Sequence, residues 1–159
     1  MAFAQTTYPA APKKGLPGQI ANSELANVIS KTVETAGGLP FGQPAARSAT
    51  ATKDESCRLM ASGATFLGIA VLNRAVVPDA TEPDEYKQYA TAALLTQGTI
   101  FVTAGGAVNP GDDVTWNTTS GKYSTVSADS DDLAIPGARF ETSGGDGDIV
   151  IISLGNRQF

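Results

Sequence analysis

The chain has 159 residues, 42% hydrophobic and only 17% charged, with a net charge of −5, no histidine and one cysteine. That length predicts one domain, which buries roughly two-thirds of its unfolded surface, and no run of about 18 apolar residues predicts a membrane span. The acidic balance argues against nucleic acid as the main partner, because phosphate binding needs clustered Lys and Arg.

Residues 1–20 carry Pro9, Pro12 and Pro17, the pair Lys13 and Lys14, and no acid; the first acid is Glu24. Proline removes backbone donors and resists regular structure. The segment therefore reads as an extended N-terminal arm before a body at 21–159. Such an arm is either a frayed terminus or a docking segment that gains affinity through extended-chain contacts. It lacks the charged-then-apolar layout of a secretion signal, so synthesis in the cytosol is the default.

Residues 22–35 admit two readings. Leu25, Val28, Ile29 and Val33 follow helical spacing after a possible Asn22 or Ser23 cap, while Val, Ile and Thr favour a strand. LPFGQP, with Pro40, Gly42 and Pro44, suggests a turn feeding an edge strand. Cys57 has apolar neighbours and reads as a small core residue. FLGIAVLNRAVV, residues 66–77, is a long apolar run in which Gly68 marks a bulge or a close backbone approach. The acidic stretch from Pro78 to Tyr86 reads as a solvated connection. Tyr86, Tyr89, Ala90 and Ala93 share a helical face, which allows a short helix near 83–90.

From residue 91 the pattern is strands and tight turns. Leu94 and Leu95 lead to Gly98, and Ile100, Phe101 and Val102 make a further strand. Asn109-Pro110-Gly111-Asp112 has the sequence of a type II turn. Val114 and Trp116 alternate on one face, and Asn117 to Gly121 is a polar turn. Phe140 anchors a strand, and DIVIISL, apolar on both faces, reads as a central strand covered on each side. Short strands at such spacing predict a mainly β fold, an antiparallel sandwich or barrel of jelly-roll-like form.

Chemistry is sparse. Without histidine there is no Ser-His-Asp or Cys-His nucleophile and no His-based zinc site. One cysteine excludes an internal disulfide and thiolate clusters. GGDGD has no following helix to bind a dinucleotide. Asp129, Asp131 and Asp132, like Asp146 and Asp148, sit in turns without the twelve-residue loop of a helix-loop-helix calcium site. No catalytic residue, metal or cofactor is expected. Asn117-Thr118-Thr119 fits a glycosylation sequon but reads more simply as a hairpin turn.

Four segments in order resemble one family, the cement or decoration proteins on the heads of tailed bacteriophages. They are GLPGQIANSE with ISKTVETAGGLPFGQPA; FLGIAVLNRAV; YATAALLTQGTIFVTAGGAVNPGDDVTW; and IPGARFETSGGDGDIVIISLG. Together they cover Gly15 to Gly155. The resemblance implies a β-sandwich or barrel body, self-association, no catalytic residues, and binding to the outer face of the capsid shell. It favours a strand over Ala26–Glu34. It places the protein on the virion's outer surface, with the major capsid protein and further copies of itself as partners. A homotrimer is expected, with a dimer as the alternative. Capsid contact is expected on the arm, at Tyr8, Pro9, Pro12, Lys13, Lys14, Leu16 and Pro17, whose positive charge complements an acidic shell. The competing class is a virion-surface carbohydrate-binding or host-attachment module. A solvent-facing pair of Trp116 and Tyr123 is its mark, and burial of Trp116 favours cement.

Overall fold

A computed structural model describes residues 14–50, 53–75, 84–125 and 130–155. Eleven strands run through them, and no helix occurs among the described residues. The strands are β1 (Asn27–Val33), β2 (Leu39–Pro40), β3 (Pro44–Arg47), β4 (Ser56–Leu59), β5 (Phe66–Ala70), β6 (Glu85–Tyr86), β7 (Thr91–Thr103), β8 (Asp113–Asn117), β9 (Tyr123–Ser124), β10 (Asp132–Phe140) and β11 (Ile149–Leu154).

One long strand organises the molecule. The first half of β7 pairs with β1 and β5, and β3 and β4 complete a ring in the order β1-β4-β3-β5-β7. The second half of β7 leads a second sheet, β7-β11-β10-β8-β9. That sheet nearly closes too, because Tyr123 on β9 bridges to Ala104 just past the end of β7. The mainly β expectation holds, and its barrel form is the one adopted: two small barrels share β7. Two pairings depart from the antiparallel pattern: β1 and β4 run parallel at Thr32–Ser56 and Val33–Cys57, and the closing bridge between Ala104 and Tyr123 is parallel as well. The closed first ring and the nearly closed second leave few free edges, the usual hazard of β proteins.

Each barrel has its own core. Val33, Ala45, Cys57, Ala70, Ala92 and Leu94 fill the first, joined by Leu39, Phe41 and Tyr86. A ring of five strands has little interior volume, which suits so many small side chains. The second core is larger and includes Ile100, Val102, Val114, Trp116, Tyr123, Phe140, Val150 and Ile152. Val114 and Trp116 are both buried, as their alternation predicts. β11 lies between β7 and β10, the central place expected for it.

Local expectations fare unevenly. The 22–35 ambiguity resolves to a strand, because β1 finds a six-position register along β7 that an isolated helix would forgo. The helix near 83–90 does not form. Glu85 and Tyr86 instead pair with Pro40 and Leu39, and Tyr89 takes a positive φ of 67°. The cause is tertiary. Tyr86 is fully buried, stands edge-on to Phe41 at 5.1 Å, and donates its hydroxyl to the Val71 carbonyl at 2.7 Å. Gly68 meets both readings offered for it. A side chain there would sit 2.7 Å from the Leu95 carbonyl oxygen, and the β3–β5 register shifts beside it. The turn at 109–112 closes as expected, with Gly111 at φ 91° and the Asp112 amide on the Asn109 carbonyl.

Cys57 is fully buried, and burial pushes its thiol up to about 11 from an ordinary 9.0, with Glu34 adding to the rise. A group that ionises more readily unfolded than folded stabilises the fold below its unfolded pKa and loses that contribution as pH rises. Stability should therefore fall between pH 9 and about 11 in a thermal melt series. Cys57→Ala should flatten part of that fall. In the folded protein at pH 8, a thiol reagent should label Cys57 only as fast as the chain opens.

Candidate functional site

The structure lays the described part of the expected arm along β7. Gly18 donates its amide to the Phe101 carbonyl at 2.8 Å, Gln19 accepts from Phe101 at 2.9 Å, and Ala21 donates to Thr99 at 2.9 Å. Ile20 forms a bridge with Ile100. The Gly18 carbonyl accepts from Leu72 at 2.7 Å, which ties the same stretch to the end of β5. Gly15 lies flat on the Phe101 ring, where an added side chain would meet ring carbons at 2.7–2.8 Å.

Of the residues expected to contact a partner, Tyr8, Pro9, Pro12 and Lys13 lie outside the described residues. Lys14 is exposed. Leu16 is 43% exposed, one of four exposed large apolar residues among the described residues. Leu16 and Pro17 line a hollow of about 220 Å³ together with Pro40, Phe41, Leu72 and Asp84. Sequence reasoning named Leu16 and Pro17 but not this wall. The LPFGQP turn was the available signal, since a proline-rich turn holding a Phe at its tip has to set that ring against something.

The interior behind this hollow is fastened by polar bonds. Trp116 donates its indole N–H to Gln43 Oε1 at 2.6 Å, Gln43 Nε2 donates to the Gly121 carbonyl at 2.8 Å, and Tyr123 donates its hydroxyl to the Gly42 carbonyl at 2.7 Å. Residues 42–43 of the first barrel thus hold β8 and β9 of the second. Burial pushes the Tyr123 phenol well above its ordinary value. Trp116 and Tyr123 are 2% and 1% exposed, so they offer no stacking platform to a sugar.

Charge is divided between the barrels. Residues 1–97 contain eight acids and eight bases. Residues 98–155 contain Asp112, Asp113, Asp129, Asp131, Asp132, Glu141, Asp146 and Asp148 against only Lys122 and Arg139, a net of −6. The described acids of the turns work as local acceptors. Asp131 takes the Thr119 hydroxyl, Asp132 the Asn117 amide, Asp148 the Gly145 amide, and Asp146 pairs with Lys122 at 2.8 Å. Asn117 Oδ1 accepts from the amides of Thr119 and Ser120, which builds the polar turn expected there. Among the described residues, no group of three or more His, Cys, Asp or Glu side chains is placed to hold a metal ion.

The family described as structural cement protein (E217 gp24/Pam3 gp6) matches residues 4–155. A chain in the capsid of Myoviridae phage XM1 has the same fold, with a TM-score of 0.76 and 19% identity over 99% of this chain and 100% of that one. The head fiber gp8.5 N base of bacteriophage phi29 is a more distant likeness, with a TM-score of 0.45 and 12% identity over 85% of this chain and 98% of that one. No curated protein sequence matches the chain. The family match spans both barrels and nearly all of the arm, so this chain belongs to the structural cement proteins of phages, and its work is that of a structural component of the virion.

Proposed function

We propose that the protein binds the outer face of the assembled capsid and stabilises it by bridging neighbouring major capsid subunits. The observation that carries this reading is the cement-family match over residues 4–155. The fold supports it: two barrels built on one shared strand leave few sheet edges, and Gly15, next to the basic pair Lys13 and Lys14 in sequence, is packed on Phe101 of that strand.

A ligand that binds the assembled shell more tightly than free subunits shifts the equilibrium toward assembly. The arm, residues 1–20, is the capsid-contacting segment in this reading, through Tyr8, Pro9, Pro12, Lys13, Lys14, Leu16 and Pro17. Leu16 is the described apolar anchor, held at the lip of the hollow by the bonds at Gly18 and Gln19. The acidic second barrel faces away from an acidic shell. A homotrimer on a local symmetry axis repeats each contact three times, and cyclic symmetry is the economical way to present such copies.

The test is co-sedimentation with shells assembled from the major capsid protein alone. The full chain should pellet with shells and remain in solution with unassembled capsid subunits. Equal retention by free subunits would contradict bridging.

A further inference from the structure

The first barrel has an open end with a cationic lining. Four of its five strands, β1, β3, β4 and β5, each send one residue to a small pocket there: Lys31, Arg47, Ser56 and Leu67. The pocket holds about 100 Å³. Sites for drug-sized ligands run to about 300–1,000 Å³, so this one has room for a single small group.

The register turns two cations toward the barrel interior. Residues paired directly across neighbouring strands point to the same face of the sheet. Arg47 is paired with Cys57, and Lys31 with Ala92. Cys57 and Ala92 are both fully buried in the first core. Alternation along each strand gives the same answer. Lys31 stands two residues before Val33 and Arg47 two after Ala45, and both of those residues belong to that core. Leu67 is the extra residue where β5 shifts register against β3, and it packs against the same core.

Countercharge at this end is incomplete. Lys31 donates to the Asp54 carbonyl at 2.7 Å and meets Glu55 at 3.8 Å, but the Glu55 side chain is 90% exposed. An ion pair of that kind is weak. Lys53 also lines the pocket and is taken by Glu34 at 3.3 Å, and Glu34 also takes the Ser48 hydroxyl. Asp54 is the one acid in the lining. Arg47 is fastened through its backbone, with its amide on the Thr65 carbonyl and its carbonyl accepting from Arg58 Nε at 3.2 Å. Its own guanidinium makes no ion pair among the described residues.

Cations at core-facing positions are costly unless a charged or polar group meets them. We propose that the mouth of the first barrel binds a single small oxyanion group, a phosphate or a carboxylate. Arg47 is its main ligand, because a guanidinium presents two parallel donors to a pair of oxygens. Lys31 is the second cation, and the hydroxyls of Thr50 and Ser56 line the same space. The site is separate from the arm and independent of what the arm contacts on the virion.

The test is an NMR titration of the isotope-labelled full chain with inorganic phosphate and, separately, with acetate, at constant ionic strength set by chloride. Saturable amide shifts should be confined to the pocket, at Lys31, Arg47, Ser48 and Ser56. R47Q and K31Q should each weaken binding at least about tenfold, the factor expected for losing one charge-assisted hydrogen bond. R74Q removes an exposed arginine outside the lining and should change nothing. Tighter binding of acetate would mark the carboxylate of a partner's side chain as the occupant, and tighter binding of phosphate a free ion. No saturation with either anion, or shifts spread evenly over all exposed cationic stretches, would overturn the site in the unmodified chain, whatever the stability of the variants. Equal weakening by R74Q and R47Q would overturn it as well.

Discussion

Replacing Trp116 with alanine should lower the stability of the fold by about 3–5 kcal/mol, the range for deleting a large buried aromatic. Trp116 is among the largest fully enclosed side chains and sits in the core of the second barrel. The loss has two parts. One is the apolar area and the cavity left behind. The other is Gln43 Oε1, which loses the indole donor at 2.6 Å while Gln43 Nε2 stays on Gly121. An unmade bond to a part-buried acceptor adds about 1–3 kcal/mol. Trp116→Phe separates the two, since it keeps most of the packing and drops the donor; it should cost about half as much. The effect reaches both barrels, because Gln43 begins the segment that enters β3 of the first. A urea melt of the single-domain chain should show one transition with a lower midpoint. Two separated transitions would mean that the barrels unfold independently.

The arm should govern attachment without governing the fold. A chain that begins at Gly15 keeps the backbone bonds of Gly18, Gln19 and Ala21 to β7 and the cover over Phe101. Its melt should match the full chain. Its retention on shells should drop steeply, because an oligomer multiplies every weak contact. Avidity of this kind amounts to about 10²–10⁴ over a single contact, so removing the contact from every copy removes the whole factor. Cutting further, to begin at Gly18, should also destabilise the body, since Leu16 and Pro17 line the hollow against Phe41 and Leu72. Lys13→Glu with Lys14→Glu should reproduce most of the attachment defect and make the remaining binding less sensitive to salt. If the chain beginning at Gly15 pellets with shells as well as the full chain, the arm is not the attachment segment.

Much of the fold was legible because it rests on local chemistry. The turn at Asn109–Asp112 needs glycine at its third position, and Cys57 lies in an apolar stretch. DIVIISL has no polar face to show to water. Each of these is a property of a few adjacent residues. The misreadings concern pairings between distant ones. β7 reads as two strands separated by Gly98, and the structure makes it one strand of 13 residues. Gly98 would end a strand in isolation. Here β1 reaches Gln97 on one side and β11 reaches Gly98 on the other, so the strand's pairing carries on through Gly98 even though it takes a φ of 127°. The helical spacing of Tyr86, Tyr89, Ala90 and Ala93 is real, yet burial of Tyr86 against Phe41 overrides it. The parallel contact of β1 with β4 and the closure of two rings depend on partners tens of residues apart, which periodicity does not record. At the site, the basic arm was visible as composition. The hollow beneath Leu16 was not, because it gathers residues from more than three separate stretches of chain.

The central claim is that the protein spans junctions on the outside of the shell. Electron cryo-microscopy of shells incubated with the full chain tests it most directly. The expected map has two-barrel bodies on the outer surface, clustered in threes across boundaries between major capsid subunits, with an extended segment running from each body at Gly15 to the shell. Density confined to the interior, to the tail, or to the middle of single capsid subunits would contradict the account.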